Sequence, residues 1–148
     1  MNVVEQKFER WSPLSDIPDS PCADFCMESV ESGKLILTLK FSHIAGNDER
    51  DLVLSFSDVL ATRTFWDGDA PVVGRIADPP RCSGQHSTFI WPLLRADKSH
   101  WLNSGDFDTS IAITDALKQG AWEQYTVLTL ERSIDVLARG EVHATWRP

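Results

Sequence analysis

The sequence predicts an α+β fold that is mostly β, an antiparallel meander or sandwich-like sheet with one or two short helices in the second half. Three observations predict it. Apolar residues recur with a period of two in several stretches before Trp66 and after Ala121. Turn residues such as Gly, Asp and Asn separate those stretches. Residues suited to starting and stopping a helix alternate with apolar ones only after Ala96.

The elements follow in order. "WSPLSDIPDSPCAD" (Trp11 to Asp24) holds three prolines, which exclude a continuous helix or a central strand. It predicts an extended segment at about 11–24 that leads into the domain or wraps around it. "FCMESVESGKLILTLKFSHI" reads as a hairpin with "ESG" at its turn. Leu35, Leu37, Leu39 and Phe41 fall on one face, and Lys34, Thr38, Lys40 and Ser42 mostly point away. Ile36 breaks the pattern, so that end of the strand is expected to be covered on both faces. "AGNDERD" is a polar turn.

In "LVLSFSDVLATRTFW" the apolar set lies first on Leu52, Leu54 and Phe56. It then moves to Val59, Ala61 and Phe65. A change of parity in mid-strand predicts a β-bulge. These three strands make the meander. Asp67 to His86 is a long connection rich in Gly, Pro and Asp.

Phe89, Trp91 and Leu93 share one face of a further strand, which Pro92 pushes towards an edge. "RADKSHWLNSG" predicts a short helix capped by Asp97 and stopped by Gly105. Ile111, Ala112, Asp115 and Ala116 are compatible with a second helical turn ending at Gly120. "AWEQYTVLTLE" is a strand, and "SIDVLARGEVHATWRP" reads as a hairpin turning at Arg139-Gly140.

The chain has 148 residues, which predicts a single domain over 1–148. Its formal net charge is −8, and the first sixty residues carry 11 acids against 5 bases. Phosphate-backbone binding needs clustered Lys and Arg, so nucleic acid is not an expected partner. No apolar run approaches the roughly eighteen residues of a membrane span. "MNVVEQKFERW" has no apolar signal core, and Cys22, Cys26 and Cys82 are an odd set of thiols. Together these predict a cytoplasmic protein with reduced cysteines.

Catalytic signatures are missing. There is no phosphate-binding glycine loop, nucleophile elbow or paired-histidine zinc motif, so no catalytic residue, metal ligand or cofactor is assigned. The alternative is a small metal-dependent enzyme or ligand-binding domain. It would use Cys22, Cys26, Cys82 and His86, or the D-x-D pairs Asp67/Asp69 and Asp106/Asp108. Those spacings also suit apolar cysteines and solvated loop carboxylates.

Six tryptophans suggest a well-filled core or an interface. Trp66 stands apart because it opens a polar loop beside Asp67 and Asp69. With Asp48 and Glu49 of the polar turn, these residues form the expected partner-binding set, an aromatic anchor among acids.

Three stretches, "LSFSDVLATRTFWDGD", "FIWPLLRADKSHWL" and "EQYTVLTLERSIDVLAR", resemble a group of small bacterial immunity-type proteins associated with polymorphic or secretion-delivered toxins. The resemblance covers roughly Leu52 to Arg139 and leaves the Asp67–His86 loop unmatched. "SIDVL" departs from it where an acidic pair is common. The resemblance implies a cytoplasmic protein that binds and neutralises a cognate protein toxin, and the acidic charge suits a basic one. It implies no oligomeric state and transfers no catalytic residue.

Overall fold

The computed structural model describes residues 7–31, 33–41, 50–66, 79–96, 99, 101 and 120–148. Seven strands run β1 (Phe8–Arg10), β2 (Asp24–Glu31), β3 (Lys34–Lys40), β4 (Asp51–Trp66), β5 (Leu93–Ala96), β6 (Glu123–Leu128) and β7 (Arg132–Arg147). They form one sheet in the order β1-β5-β6-β7-β4-β3-β2, and every neighbouring pair is antiparallel. Two three-stranded meanders, β2-β3-β4 and β5-β6-β7, are thus joined where β4 pairs with β7.

The expected hairpin is β2-β3, and Gly33 supplies its turn with φ +78°. The final hairpin is corrected. Arg139-Gly140 is no turn, because β7 runs unbroken for 16 residues beside the equally long β4. Gly140, at φ +83°, instead forms a bulge in which it and Glu141 face the single residue Ser57. A second bulge follows at Leu60, where Val59 and Ala61 pair with the adjacent residues Ala138 and Leu137.

These two bulges bend the sheet back on itself. One half holds β2, β3, the start of β4 and the end of β7. The other holds the end of β4, the start of β7, β6, β5 and β1. Their apolar faces meet: Phe56 of the first half packs on Tyr125 of the second with ring centroids 5.5 Å apart. Phe25, Leu35, Leu37, Leu39, Leu52 and Leu54 lie buried opposite Leu93, Val127, Ile134 and Val136. Each such side chain contributes about 1.5–3 kcal/mol by leaving water.

The segment between β1 and β2 closes the open side as a strap. Trp11 packs on Tyr125 at 4.7 Å, and Leu14 and Ile17 rest on the core. Asp16 accepts the indole N–H of Trp146 at 2.7 Å. Asp19 accepts the backbone N–H of Ser83 at 3.0 Å and the Ser83 hydroxyl, and the hydroxyl bond above all holds its carboxyl below the usual value. Cys22 forms a parallel bridge with Thr129, so the strap ends against the β6-β7 turn.

The α+β class is corrected to all-β for the described residues. No α-helix occurs among them; their helical residues, all of 3-10 type, are the three-residue turn Gly84–His86, in a loop, and Trp101. The physical reason is that the sheet covers its own apolar face by folding, so the inner core needs no helical layer. The stretches expected to be helical, 97–105 and 106–120, lie almost wholly outside the described residues, Asp97 and Gly105 included. The strand expected at Phe89 starts later: Phe89 is exposed, Ile90 makes only an isolated bridge to Arg81, and regular pairing begins at Leu93. Leu93 is not at the sheet's edge, because the short β1 flanks β5.

Candidate functional site

The burial pattern of β4 changes along its length. Trp66 shares the even numbering of Leu52, Leu54 and Phe56, and a regular strand would turn all four inward. Beyond the bulges the less exposed parity changes, as the sequence pattern predicts, while the even positions pair with Val136, Ile134 and Arg132. Ala61, Arg63 and Phe65 become half-buried, while Thr62, Thr64 and Trp66 are exposed. Trp66 is 70% exposed, whereas Trp91 and Trp101 are buried and Trp11, Trp122 and Trp146 are half-buried. A large aromatic ring in water is unfavourable unless something covers it.

Trp66 sits at a rim. Its register partner across the sheet is Arg132, the first residue of β7. The Arg132 guanidinium crosses to the other half of the sheet, donating to Asp24 at 3.1 Å and to the Phe25 carbonyl and stacking 4.3 Å from the Phe25 ring. The turn before β7 is tight: Thr129 N–H donates to the Arg132 carbonyl at 3.0 Å, and Arg132 N–H returns to the Thr129 hydroxyl at 3.2 Å. At its tip Leu130 and Glu131 are exposed. The rim therefore carries two exposed apolar side chains, Trp66 and Leu130, with Asp24 and Glu131 beside them. Sequence reasoning named Trp66 and did not name Leu130 or Arg132. Their place depends on the doubling of the sheet, which no local pattern announces. Asp48, Glu49, Asp67 and Asp69, expected to complete the set, lie outside the described residues.

The basic side chains are largely consumed within the protein. Arg50 pairs with Asp16, Arg63 with Asp135, Arg95 with Glu9, Arg132 with Asp24, Arg139 with Asp58 and Arg147 with Asp51. Arg10 covers the Trp91 ring at 3.6 Å, and Arg81 donates to the Thr88 carbonyl at 3.1 Å. These are all the arginines among the described residues. At the rim itself Asp24 is paired with Arg132, which leaves the exposed Glu131, among the described residues, as the uncompensated charge beside Leu130.

A second constellation lies on the outer face of the β5-β6-β7-β4 half. Ser99 donates to Gln124 Oε1 at 2.7 Å, Gln124 to Thr126 Oγ1 at 3.4 Å, and Thr126 to Asp135 Oδ1 at 2.6 Å. Arg63 Nε donates to Asp135 Oδ2 at 2.7 Å, and its guanidinium lies 4.2 Å from the Trp101 ring. Asp135 is only 4% exposed, yet each of its oxygens has a donor. No buried side-chain nitrogen or oxygen among the described residues lacks a partner. A column with every group satisfied has no open valence for a substrate, and it pins the chain after β5 to the sheet.

The cysteines and histidine of the alternative reading do not converge. Among the described residues no group of three His, Cys, Asp or Glu side chains is placed to hold a metal. Cys22 donates to the carbonyls of Asp24 and Lys40 at 3.3 and 3.5 Å, while Cys26 is exposed on β2. Cys82 is buried beside the Ile90 carbonyl, and His86 packs against Phe89. Asp67, Asp69, Asp106 and Asp108 lie outside the described residues.

Burial pushes the Cys22 thiol from its ordinary 9.0 up to about 12. Burial, then the Asp19 charge, pushes Cys82 up to about 11. Burial and the hydrogen bond to Glu123 push Tyr125 from 10.0 up to about 12. All three keep protons in the folded state that the unfolded chain releases sooner. Their stabilisation is thus complete below about pH 9 and drains away as pH rises towards 11–12. Thermal melts should hold their midpoint up to pH 9 and fall steadily above it. At pH 8 a thiol reagent should modify Cys26 alone until the protein unfolds; rapid modification of all three thiols would contradict the burial of Cys22 and Cys82.

Among the described residues no helix is long and apolar enough to cross a membrane. No protein-family model, no curated protein and no solved structure matches this chain.

Proposed function

We propose that this chain is a protein-binding domain, and specifically an immunity-type protein of the bacterial cytoplasm that occludes a cognate toxin of basic character. The observation that carries the reading is the exposure of Trp66 and Leu130 at a rim that also carries Glu131. Interfaces centre on a few aromatic anchors ringed by groups that exclude water, and charge of opposite sign speeds their encounter. The doubled sheet gives such an anchor a rigid base: β4 and β7 are paired from Asp51 to Trp66, and Arg132 ties the two halves together beneath the rim. The resemblance of the stretches between Leu52 and Arg139 to immunity-type proteins supplies the toxin as the partner.

The test is co-expression with the protein encoded beside this chain. The expected result is relief of that protein's toxicity and a stable complex of the two on purification. Absence of both sinks the reading. A stoichiometric metal retained by the purified chain, with no complex, would move the assignment to the metal-dependent alternative.

A further inference from the structure

The rim continues into an open sheet edge. β2 is the last strand of the sheet, and its second side pairs with no strand among the described residues. Cys26, Met27, Glu28 and Ser29 are all exposed, and Met27 is 50% exposed although its register partner Leu37 is fully buried. Arg132 takes the Phe25 carbonyl from the side away from β3. Carbonyls and amides of alternate residues point the same way, so Met27 and Ser29 also turn their N–H and C=O groups outward. An edge of this kind is a template for one more strand.

The charge on the edge selects the occupant. Its side chains are acidic or neutral: Asp24 is held by Arg132, and Glu28 is exposed with no partner among the described residues. Pairing with a second copy is disfavoured in each symmetric register. A dyad at Cys26 sets Asp24 opposite Glu28, one at Met27 sets the two Glu28 side chains diagonally together, and one at Glu28 sets them face to face. Each copy also carries −8.

The geometry points to β2 as the acceptor for an extended segment of the partner that carries lysine or arginine where it passes Glu28. The strand starts at Arg132, beneath Trp66, and its main chain pairs with Met27 and Ser29. The inference rests on the protein-binding reading and adds the mode of attachment.

The test uses a synthetic ten-residue peptide of alternating Lys and Val, with an alternating Glu and Val peptide as control. Amide exchange of the whole chain is followed by NMR. The Lys peptide should slow exchange at Met27 and Ser29, and the Glu peptide should not. Glu28→Lys should weaken the Lys peptide by about fivefold, since attraction becomes repulsion. Met27→Pro should abolish binding while leaving the fold intact, because the lost N–H faces solvent. Equal protection by both peptides, protection elsewhere only, or concentration-dependent dimers through β2 in sedimentation would overturn it. Trp66→Ala should leave peptide binding within about twofold while weakening the whole partner. Peptide failure alone therefore removes the edge mode, and failure of the Trp66 variant alone removes the rim.

Discussion

Trp91→Ala should lower stability to unfolding by about 3–5 kcal/mol, the cost of deleting a large buried aromatic side chain. Trp91 is 1% exposed. Its indole N–H donates to the Trp11 carbonyl at 3.0 Å, and the Arg10 guanidinium covers its ring. Its own backbone N–H donates to the Pro80 carbonyl at 2.9 Å. The side chain thus fastens β1 and the strap, while the backbone of the same residue holds the loop before β5. Truncation opens a cavity and leaves the Trp11 carbonyl without its donor. Trp91→Phe keeps most of the packing and loses the hydrogen bond, so it should cost clearly less. Urea unfolding checks both; a Trp91→Ala loss under 1 kcal/mol would mean that the strap is not held there.

Asp135→Ala is the second large effect, expected at about 3 kcal/mol. The loss strands the Arg63 guanidinium and removes the acceptor for the Thr126 hydroxyl. Arg63 keeps some contact with water, its side chain being 27% exposed, which holds the figure at the lower end of the range for broken buried pairs. The double variant Arg63→Met with Asp135→Leu should recover at least half of the loss, since removing both charges avoids an unpaired one. If the double variant is as unstable as Asp135→Ala, the column contributes by shape rather than by charge, and the electrostatic account fails.

Much of the sheet was legible because its signals are local. The period of two marked Leu35, Leu37 and Leu39, "ESG" marked the β2-β3 turn, and the parity change in β4 marked a bulge. What was not legible is longer in range. Gly140 looks the same in sequence whether it turns a hairpin or relaxes a bulge, and only its pairing opposite Ser57 decides. The burial of Ser133, Asp135 and Leu137 together with Ile134 and Val136 requires cover on both faces of β7, and alternation cannot report that. The helix signals at Asp97 and Gly105 were read as a layer that the doubled sheet does not need for its inner core.

Of the candidate rim, the sequence singled out Trp66. Trp66 stood out by its acidic neighbours, and the structure adds its exposure: after the bulges the even positions of β4 are the exposed ones, although Thr62 and Thr64 still pair with Val136 and Ile134 of the core. Arg63 and Asp135 were separable from ordinary surface charges only by their register across β4 and β7.

The most direct measurement is a calorimetric titration of the protein encoded beside this chain with the native chain and with Trp66→Ala. The variant should unfold within about 0.5 kcal/mol of the native protein, as an exposed site does. Its affinity should fall about thirtyfold or more, the loss of a central aromatic anchor. Undiminished affinity in a folded Trp66→Ala variant would contradict the account, because the most exposed of the six tryptophans would then have no part in binding.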